Sequence, residues 1–283
     1  GTYSIRFEDS NGCADSIDVV VDEIPPFFLD ITRNDSTSCA NTADGVLQVS
    51  VSSGAAPFDF RIDGGPWVTD SLFTGLTAGP HLIEVRDAAG CIGGIEDTVG
   101  APPAIVITRT NLDSVLCAGG SEGRVDVSVS GGNPAYTYSL DGSPFGTDSF
   151  FTGLTAGVYD LVVEDVNLCR DTLGVSIFEP GPLSTSVLDS DSASCAGAAD
   201  GSLEMTGSGG TSPYEFSLDG GPFQPTGLFT GLTAGVYEVV NRDDNGCTDT
   251  VSVTIDEPDT LQILSITVDS VSCNGLADGS ITV

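Results

Sequence analysis

The chain has 283 residues, of which 41 are acidic and 8 are basic, so its net charge is −33. Nucleic acids and anionic lipids both require a basic surface, and this charge argues against either as a partner. No apolar run approaches the ~20 residues of a membrane span, so we expect no membrane insertion of this segment.

Proline-bearing joints divide the chain into predicted domains. They lie at residues 23–26, 101–103, 179–182 and 257–259. Short proline-rich joints are stiff and extended. We therefore expect a partial repeat with strands F and G at 1–26, full repeats at 27–104, 105–182 and 183–260, and a partial repeat with strands A and B at 261–283. The chain has the pattern of a window from a longer array.

An internal period of 78 residues supports this division. The phrase LFTGLTAG at 72–79 returns as FFTGLTAG at 150–157 and as LFTGLTAG at 228–235. The cysteines keep the same period, with gaps that alternate between 26 and 52 residues: Cys13, Cys39, Cys91, Cys117, Cys169, Cys195, Cys247 and Cys273. This length allows a small domain with its own core, so the sequence predicts an array of small domains.

Each full repeat has the pattern of an all-β sandwich. In the third repeat we expect strands near 182–190, 203–205, 213–223 (a hairpin of two strands), 227–232, 236–243 and 248–255. About seven strands per repeat, with turn residues every 8–12 positions, are typical of immunoglobulin-like or fibronectin-like sandwiches. The predicted fold class is a head-to-tail tandem array of such β-sandwich domains, each 78 residues long.

The repeated phrase is predicted to contain strand E, the E–F corner and the start of strand F. Its last glycine is expected to adopt a turn conformation that strains most residues: Gly79, Gly157 and Gly235. Two positions later a tyrosine would tie the loop to the core as a tyrosine corner: Tyr3, Tyr159 and Tyr237. His81, the only histidine, is expected to replace this tyrosine in the first full repeat.

Three motifs carry a resemblance to a known repeat family. They are SPYEFSLDGG at 212–221, FTGLTAGVYEVVNRDDNGC at 229–247 and SCNGLADGSITV at 272–283. Together they resemble the SprB-type repeat of giant surface adhesins of gliding Bacteroidetes and of related type IX-secreted proteins. The resemblance implies an extracellular segment at the cell surface. The first full repeat departs most, because Asp97 stands where Val19, Val175 and Val253 occur, and its last strand is expected to be bulged or shifted.

The sequence favours a structural or binding role over an enzyme. A Ser-His-Asp triad would require His81, which occurs in one repeat only, and there is no zinc motif, P-loop or dinucleotide fingerprint. Intramolecular isopeptide bonds need a lysine, and the chain has none. We expect no enzymatic activity and, apart from calcium at the joints, no cofactor.

Three functions fit these features. The favoured one is a stalk or filament segment of a giant cell-surface adhesin, including a gliding-motility adhesin. The alternatives are a glycan- or surface-binding array of immunoglobulin-like modules and a subunit of an extracellular matrix-like fibre. The expected partners are neighbouring repeats, other copies in a filament and surface glycans. Trp67, the only tryptophan, is the best candidate for a ligand contact, although a residue capping a hairpin explains it more simply.

Acidic residues in register suggest calcium at the joints between repeats. One set lies before or within the A–B loop: Asp35, Asp44, Asp113, Glu122, Asp191 and Asp200, with Asp269 and Asp278 in the last segment. Another set opens the F–G turn: Asp9, Asp87, Asp165 and Asp243. Carboxylates from two repeats could share a Ca²⁺ ion. The simpler interpretation is that these aspartates serve turns.

A short pattern of Asp followed by Ser or Thr and an apolar residue or threonine predicts O-glycosylation. It resembles the O-glycosylation signal of Bacteroidetes, and its hydroxyl residues are Ser16, Ser36, Ser71, Thr98, Ser114, Thr172, Ser192, Thr250, Thr260 and Ser270. Glycans would shield strand edges from pairing with other chains. The alternative is that these dipeptides serve turns and strand edges.

The strict cysteine register predicts disulfides and an oxidising exterior. Neighbouring cysteines such as Cys13 and Cys39 are separated by extended chain of roughly 80 Å, far beyond the ~7 Å that a disulfide allows. Pairing within repeats would join Cys39–Cys91, Cys117–Cys169 and Cys195–Cys247. Pairing between repeats would join Cys39–Cys169 and Cys117–Cys247, which seven strands favour because the A–B loop and the F–G turn then lie at opposite ends. Cys91 and Cys195 would pair with further repeats, and Cys13 and Cys273 are further disulfide candidates.

Overall fold

The computed structural model describes residues 1–22 and 27–283, so the joint expected at 23–26 lies outside the described residues. Within them the protein is all-β, with 22 strands and no helix. The predicted fold class, a tandem array of immunoglobulin-like sandwiches, is confirmed. The six strands of each full repeat are lettered A, B, C, E, F and G in chain order.

The first full repeat forms two three-stranded antiparallel sheets. Its strands are β3 (Leu29–Asp35), β4 (Gly45–Val51), β5 (Asp59–Ile62), β6 (Leu72–Leu76), β7 (Gly79–Arg86) and β8 (Ile92–Val99). One sheet has the order β3-β4-β6 and the other β5-β7-β8. Strands A, B and E therefore pack against strands C, F and G.

The other two full repeats have the same sheet orders. The second contains β9 (Val106–Asp113), β10 (Gly123–Ser130), β11 (Thr137–Leu140), β12 (Phe150–Leu154), β13 (Gly157–Glu164) and β14 (Arg170–Ile177). The third contains β15 (Ser184–Asp191), β16 (Gly201–Ser208), β17 (Glu215–Leu218), β18 (Leu228–Leu232), β19 (Gly235–Arg242) and β20 (Thr248–Ile255). Each 78-residue period thus contains the same six strands in the same order.

The two terminal segments each form a hairpin. The leading hairpin pairs β1 (Thr2–Glu8) with β2 (Ala14–Val20), and the trailing one pairs β21 (Thr267–Asp269) with β22 (Ser280–Thr282). Their apolar side chains, including Ile5 and Ile281, are exposed.

Alternating side chains form a separate core in the first and third repeats. In β4 and β16, alternate residues such as Leu47 and Leu203 are fully buried while their neighbours reach the surface. Leu47 packs with Val49, Phe60, Ile83 and Val85. Burial of each such side chain contributes about 1.5–3 kcal/mol, so this period-2 pattern both specifies the strands and stabilises the sandwich.

The expected seventh strand does not form. After strand C, the chain turns and makes only one antiparallel bridge in each repeat: Phe60 with Val68, Tyr138 with Gly146 and Phe216 with Gln224. This segment still reverses the chain direction. The A–B loop and the F–G turn therefore lie at opposite ends of the sandwich, as predicted, although the predicted number of strands was wrong. The F–G turn lies beside the B–C loop, where Asp87 accepts a hydrogen bond from the Ala55 amide, and away from the A–B loop.

The glycine that needs a left-handed conformation is the middle one of the phrase. Gly75 and its equivalents in the other two repeats have φ of 74°, 75° and 76°. Strand pairing skips Gly75, because Gly45 pairs with Leu76 and Val46 with Thr74, which makes Gly75 a bulge residue. Of the three glycines predicted from the sequence, only Gly79 has positive φ. The prediction was therefore wrong for Gly157 and Gly235.

The last strand of the first repeat is regular, which corrects the expectation of a bulge. Strands β7 and β8 pair without a shift from Gly79↔Val99 to Arg86↔Ile92. Asp97 fits because it accepts a hydrogen bond of 3.0 Å from Asn34 Nδ2. Register shifts occur instead between strands A and B, at Ile31/Arg33 and Val187/Asp189, besides the bulge between strands B and E.

The described chain groups into two compact units. The first comprises Gly1–Thr110, Asp126–Phe150 and Tyr159–Val175, and the second comprises Asn111–Val125, Phe151–Val158 and Ser176–Val283. The division crosses the second repeat, whose two ends belong to different units. The domain boundaries expected from the proline-bearing joints stay a prediction.

Candidate functional site

In the first unit, a disulfide joins two successive repeats. Cys39 lies in the A–B loop between β3 and β4, and Cys169 lies in the F–G turn immediately before β14. Their Cα atoms are 5.7 Å apart across a sequence separation of 130 residues. Beside the disulfide, Asn167 Nδ2 donates a hydrogen bond of 3.2 Å to the Ser38 carbonyl oxygen. We call this arrangement the first joint.

In the second unit, the same arrangement recurs one period later. Cys117 pairs with Cys247, again with 5.7 Å between Cα atoms and a separation of 130 residues. Asn245 Nδ2 donates to the Leu116 carbonyl oxygen and to Thr211 Oγ1, each at 3.0 Å. We call this arrangement the second joint. The recurrence shows that the contact belongs to the repeat.

The asparagine of the F–G turn was missed at the level of sequence, although a signal for it existed. Asparagine occurs two residues before the F–G cysteine at Asn11, Asn167 and Asn245, in step with the period. In the first full repeat this position is Ala89. Its role is visible only once the A–B loop of another repeat lies beside it.

A buried aspartate shapes the F–G turn that presents these residues. Asp165 is only 3% exposed. Its Oδ1 accepts hydrogen bonds from the amides of Asn167 (2.8 Å) and Cys169 (3.0 Å), and its Oδ2 accepts one from the Asn133 amide (2.8 Å). Asp87 does the same in the first repeat, where backbone hydrogen bonds, first of all that from Ala55, lower the pKa of its carboxyl. The turn is thereby held against the B–C loop.

A second carboxylate holds the A–B loop on the other side of each joint. Asp44 accepts hydrogen bonds from the Ser38 amide (3.0 Å) and from Thr42 Oγ1 (2.8 Å), and the bonds from Ser38 lower its pKa. Glu122 takes this role at the second joint, where the Leu116 amide lowers its pKa. The residue whose carbonyl accepts the asparagine is thus fixed through its own amide.

These hydrogen bonds engage the carboxylates predicted as calcium ligands. Besides those just described, some candidates accept hydrogen bonds from backbone amides: Asp9, Asp200, Asp243 and Asp278. The remaining candidates contact polar side chains of their own segment: Asp35 with Arg33, Asp113 with Asn111, Asp191 with Ser202 and Asp269 with Ser280. In the part of the chain that the structure describes, no group of three or more His, Cys, Asp or Glu side chains is placed to hold a metal ion. Calcium at the joints stays a prediction, which a Tm lowered by a chelator would support.

The structure does not form the within-repeat disulfides that the sequence left open. Cys39 and Cys117 pair with other repeats, and Cys91 and Cys195 are free thiols. Cys13 and Cys273 are also free and exposed. The physical reason is the one visible in the sandwich: the two cysteines of one repeat lie at its opposite ends.

A family model described as SprB repeat matches the chain at two places, residues 109–145 and 188–223. Over these two segments the chain is similar to the SprB repeat. Both matched segments begin in strand A and end shortly after the turn that follows strand C, so they cover the same portion of two successive repeats. A disulfide-linked repeat array with two SprB repeat matches is an extracellular, adhesin-type module, because disulfides persist in oxidising compartments.

Several solved multi-domain structures resemble the chain. The N-terminal eight Ig domains of Down Syndrome Cell Adhesion Molecule have 12% identity and a TM-score of 0.38, with 92% of this chain and 40% of that chain covered. Three N-terminal domains of the Highly Immunogenic Outer Capsid protein of bacteriophage RB49 have 13% identity and a TM-score of 0.36, with 81% and 97% covered. The chain therefore spans less than half of the first of these structures.

Comparison with curated proteins gives no significant match. Residues 1–22 and 27–283 contain no helix of the length and apolar character needed to cross a membrane.

Two unusual residues of the first full repeat have structural partners. His81 is 8% exposed, and its Nε2 donates to the Thr77 carbonyl oxygen at 2.8 Å, as Tyr237 Oη does to Thr233 at 2.9 Å in the third repeat. It is therefore the substituted corner residue predicted from the sequence. The guanidinium carbons of Arg61 and Arg86 lie 4.5 and 4.6 Å from the centroid of the Trp67 ring.

The predicted O-glycosylation residues lie mostly at the surface. Ser71 and Ser114 are half-buried and the other eight are exposed: Ser16, Ser36, Thr98, Thr172, Ser192, Thr250, Thr260 and Ser270. Accessibility is compatible with modification, which stays a prediction. An intact mass of the native protein equal to that of the bare polypeptide would contradict it.

Proposed function

We propose that the chain is a structural stalk or filament segment of a giant, repetitive cell-surface adhesin, of the kind that serves gliding motility. Its proposed partners are neighbouring repeats of the same chain and other copies in a filament. It acts by connecting rather than by catalysis.

The observation that carries this proposal is the pair of joints. Each disulfide connects two repeats rather than closing one sandwich, and the hydrogen bonds Asn167–Ser38 and Asn245–Leu116 recur beside it. A module that only binds a ligand needs a stable core but no covalent bond to its neighbour. A segment that transmits force gains from such a bond, because the disulfide links neighbouring repeats a second time besides the main chain.

Surface charge and the state of Trp67 also support a connecting role. A net charge of −33 keeps long molecules soluble and apart. Trp67, the residue best suited to stack on a sugar, is half-buried and already lies against two arginines of its own repeat. A glycan-binding array and a matrix-like fibre therefore have less support than a stalk.

Immunogold electron microscopy of intact cells tests the location, with antibodies raised against this chain. We expect label along surface fibres at several points per fibre. Label confined to the cell interior would refute the proposal.

Shortening the array tests the role. Deleting residues 105–182 removes one full period and leaves each remaining cysteine in its register. A stalk should lose length but keep its adhesion per molecule, whereas a binding array should lose adhesion in proportion to the repeats removed. Proportional loss would overturn the stalk in favour of the glycan-binding alternative.

A further inference from the structure

The two disulfides enclose overlapping stretches of chain. Cys39–Cys169 and Cys117–Cys247 each span 130 residues, and residues 117–169 belong to both loops. We infer that this overlap provides a short covalent path for tension, so that the chain stays short under force even when its repeats unfold. The inference deepens the proposed connecting function, and its argument uses only which cysteines are joined by the two disulfides.

The length of that path follows from the positions of the cysteines. The path runs over 38 residues from Gly1 to Cys39, crosses to Cys169, returns over 52 residues to Cys117, crosses to Cys247 and runs over 36 residues to Val283. This is about 126 residue steps in a chain of 283 residues. At ~3.5 Å per residue, the extension limit is roughly 450 Å with both disulfides and roughly 1,000 Å without them.

The segment between two successive crossings is short. Cys169 and Cys195 are 26 residues apart, and the segment between them contains the extended strands β14 and β15. In an array that continues this pairing, a path would advance two repeats on one such segment, roughly 86 Å when fully extended. A second path through Cys117 and Cys247 would run in parallel.

Pairing within repeats would behave differently in a long array. Each repeat would then add its own 26-residue segment in series, so two repeats would need two segments on a single path. The observed pairing halves this length and doubles the number of paths. Tension then acts on the covalent path, and unfolding of a sandwich adds no length to the array beyond these 26-residue segments.

Stretching single molecules in an optical trap tests the inference, with handles at Gly1 and Val283. We expect a limit of about 126 residue steps in the oxidised chain and about 282 after reduction with a thiol. Replacing Cys39 and Cys169 by serine should raise the oxidised limit to about 152 steps. Replacing Cys117 and Cys247 should raise it to the same value, because the two disulfides are equivalent.

Pairing between repeats and pairing within repeats give the same extension limit for the unaltered oxidised chain. A matched control distinguishes them. Cys195→Ser should leave the limit at about 126 steps, because Cys195 is a free thiol. An increase to about 178 steps would show the within-repeat pair Cys195–Cys247 and would overturn the inference. Both pairings predict the fully reduced value, which calibrates the handles.

The two proposals fail separately. A chain with the short limit that is absent from surface fibres would refute the proposed function alone. A chain found in such fibres that stretches to its full length when oxidised would refute this inference alone.

Discussion

Asn245 donates its side-chain amide to the carbonyl oxygen of Leu116 at 3.0 Å, although 129 residues separate them. The contact lies beside the Cys117–Cys247 disulfide. Asn167 makes the equivalent contact, with the Ser38 carbonyl oxygen, at the first joint. Two successive repeats therefore meet through one covalent bond and one hydrogen bond that the sequence places in register.

Removing this hydrogen bond should weaken the second joint. Asn245→Ala removes this bond and the one to Thr211, so we expect it to lower the free energy of unfolding by about 1–3 kcal/mol, as measured by urea denaturation of the oxidised protein. Asn11→Ala is the matched control, because the Asn11 side chain has no hydrogen-bond partner in the described part of the leading hairpin. Equal effects of the two substitutions would contradict the role of Asn245.

Asp87 should make the first repeat sensitive to acid. Its folded-state pKa lies below the ordinary 3.8, chiefly because of the Ala55 amide, so its contribution to stability is present above pH 3.8 and is lost as pH falls through the folded value. We expect Asp87→Asn to lower stability at neutral pH and to reduce this acid dependence. Fluorescence of Trp67, the only tryptophan, reports unfolding of this repeat. An unchanged neutral-pH midpoint would count against the turn-shaping role.

His81 should make the same repeat sensitive to mildly alkaline pH. Burial of the His81 ring disfavours its charged form. The hydrogen bonds of the ring to the Thr77 carbonyl and the Asp63 carboxylate outweigh this effect and raise the pKa of His81 above 6.5. The stabilisation is therefore complete below pH 6.5 and is lost as pH rises through the folded value. We expect His81→Tyr to remove this loss between pH 6 and 9, as followed by Trp67 fluorescence. A wild-type midpoint that is flat across this range would contradict the assignment.

Asn241 should destabilise the third repeat. It is completely buried, and neither side-chain polar atom has a hydrogen-bond partner within the described residues. Val85 and Val163 occupy the equivalent positions and are equally buried. We expect Asn241→Val to raise the free energy of unfolding by about 1–3 kcal/mol, the cost of an unsatisfied buried polar group.

The reverse substitution is the control for Asn241. Val163→Asn should lower the free energy of unfolding of the second repeat. Calorimetry or urea denaturation measures the effect of both substitutions. A loss of stability in Asn241→Val would contradict the prediction, and it is the result expected if a bound water satisfied the amide.

The strands and the period could be predicted because their signals are local. Alternation in segments such as 45–51 and 201–208 places every second side chain in the core, and the turn residues recur every 78 positions. The segment after strand C misled the prediction, because its turn looks like a hairpin while only one bridge, such as Phe60 with Val68, actually forms. Likewise, the choice between Gly75 and Gly79 for the left-handed position depends on the bulge in the B–E pairing, which no local pattern reveals.

The sequence by itself determined the repeat, the all-β class and the fact that the cysteines are in register, since each follows from short-range pattern and spacing. Only the tertiary structure decided which cysteines meet, because that depends on which end of a sandwich each loop reaches. It also decided that Asn167 and Asn245 bind Ser38 and Leu116, and that the acidic residues beside them hold backbone amides. Contacts between residues some 130 positions apart arise from the packing of whole repeats, and a linear pattern carries no record of them.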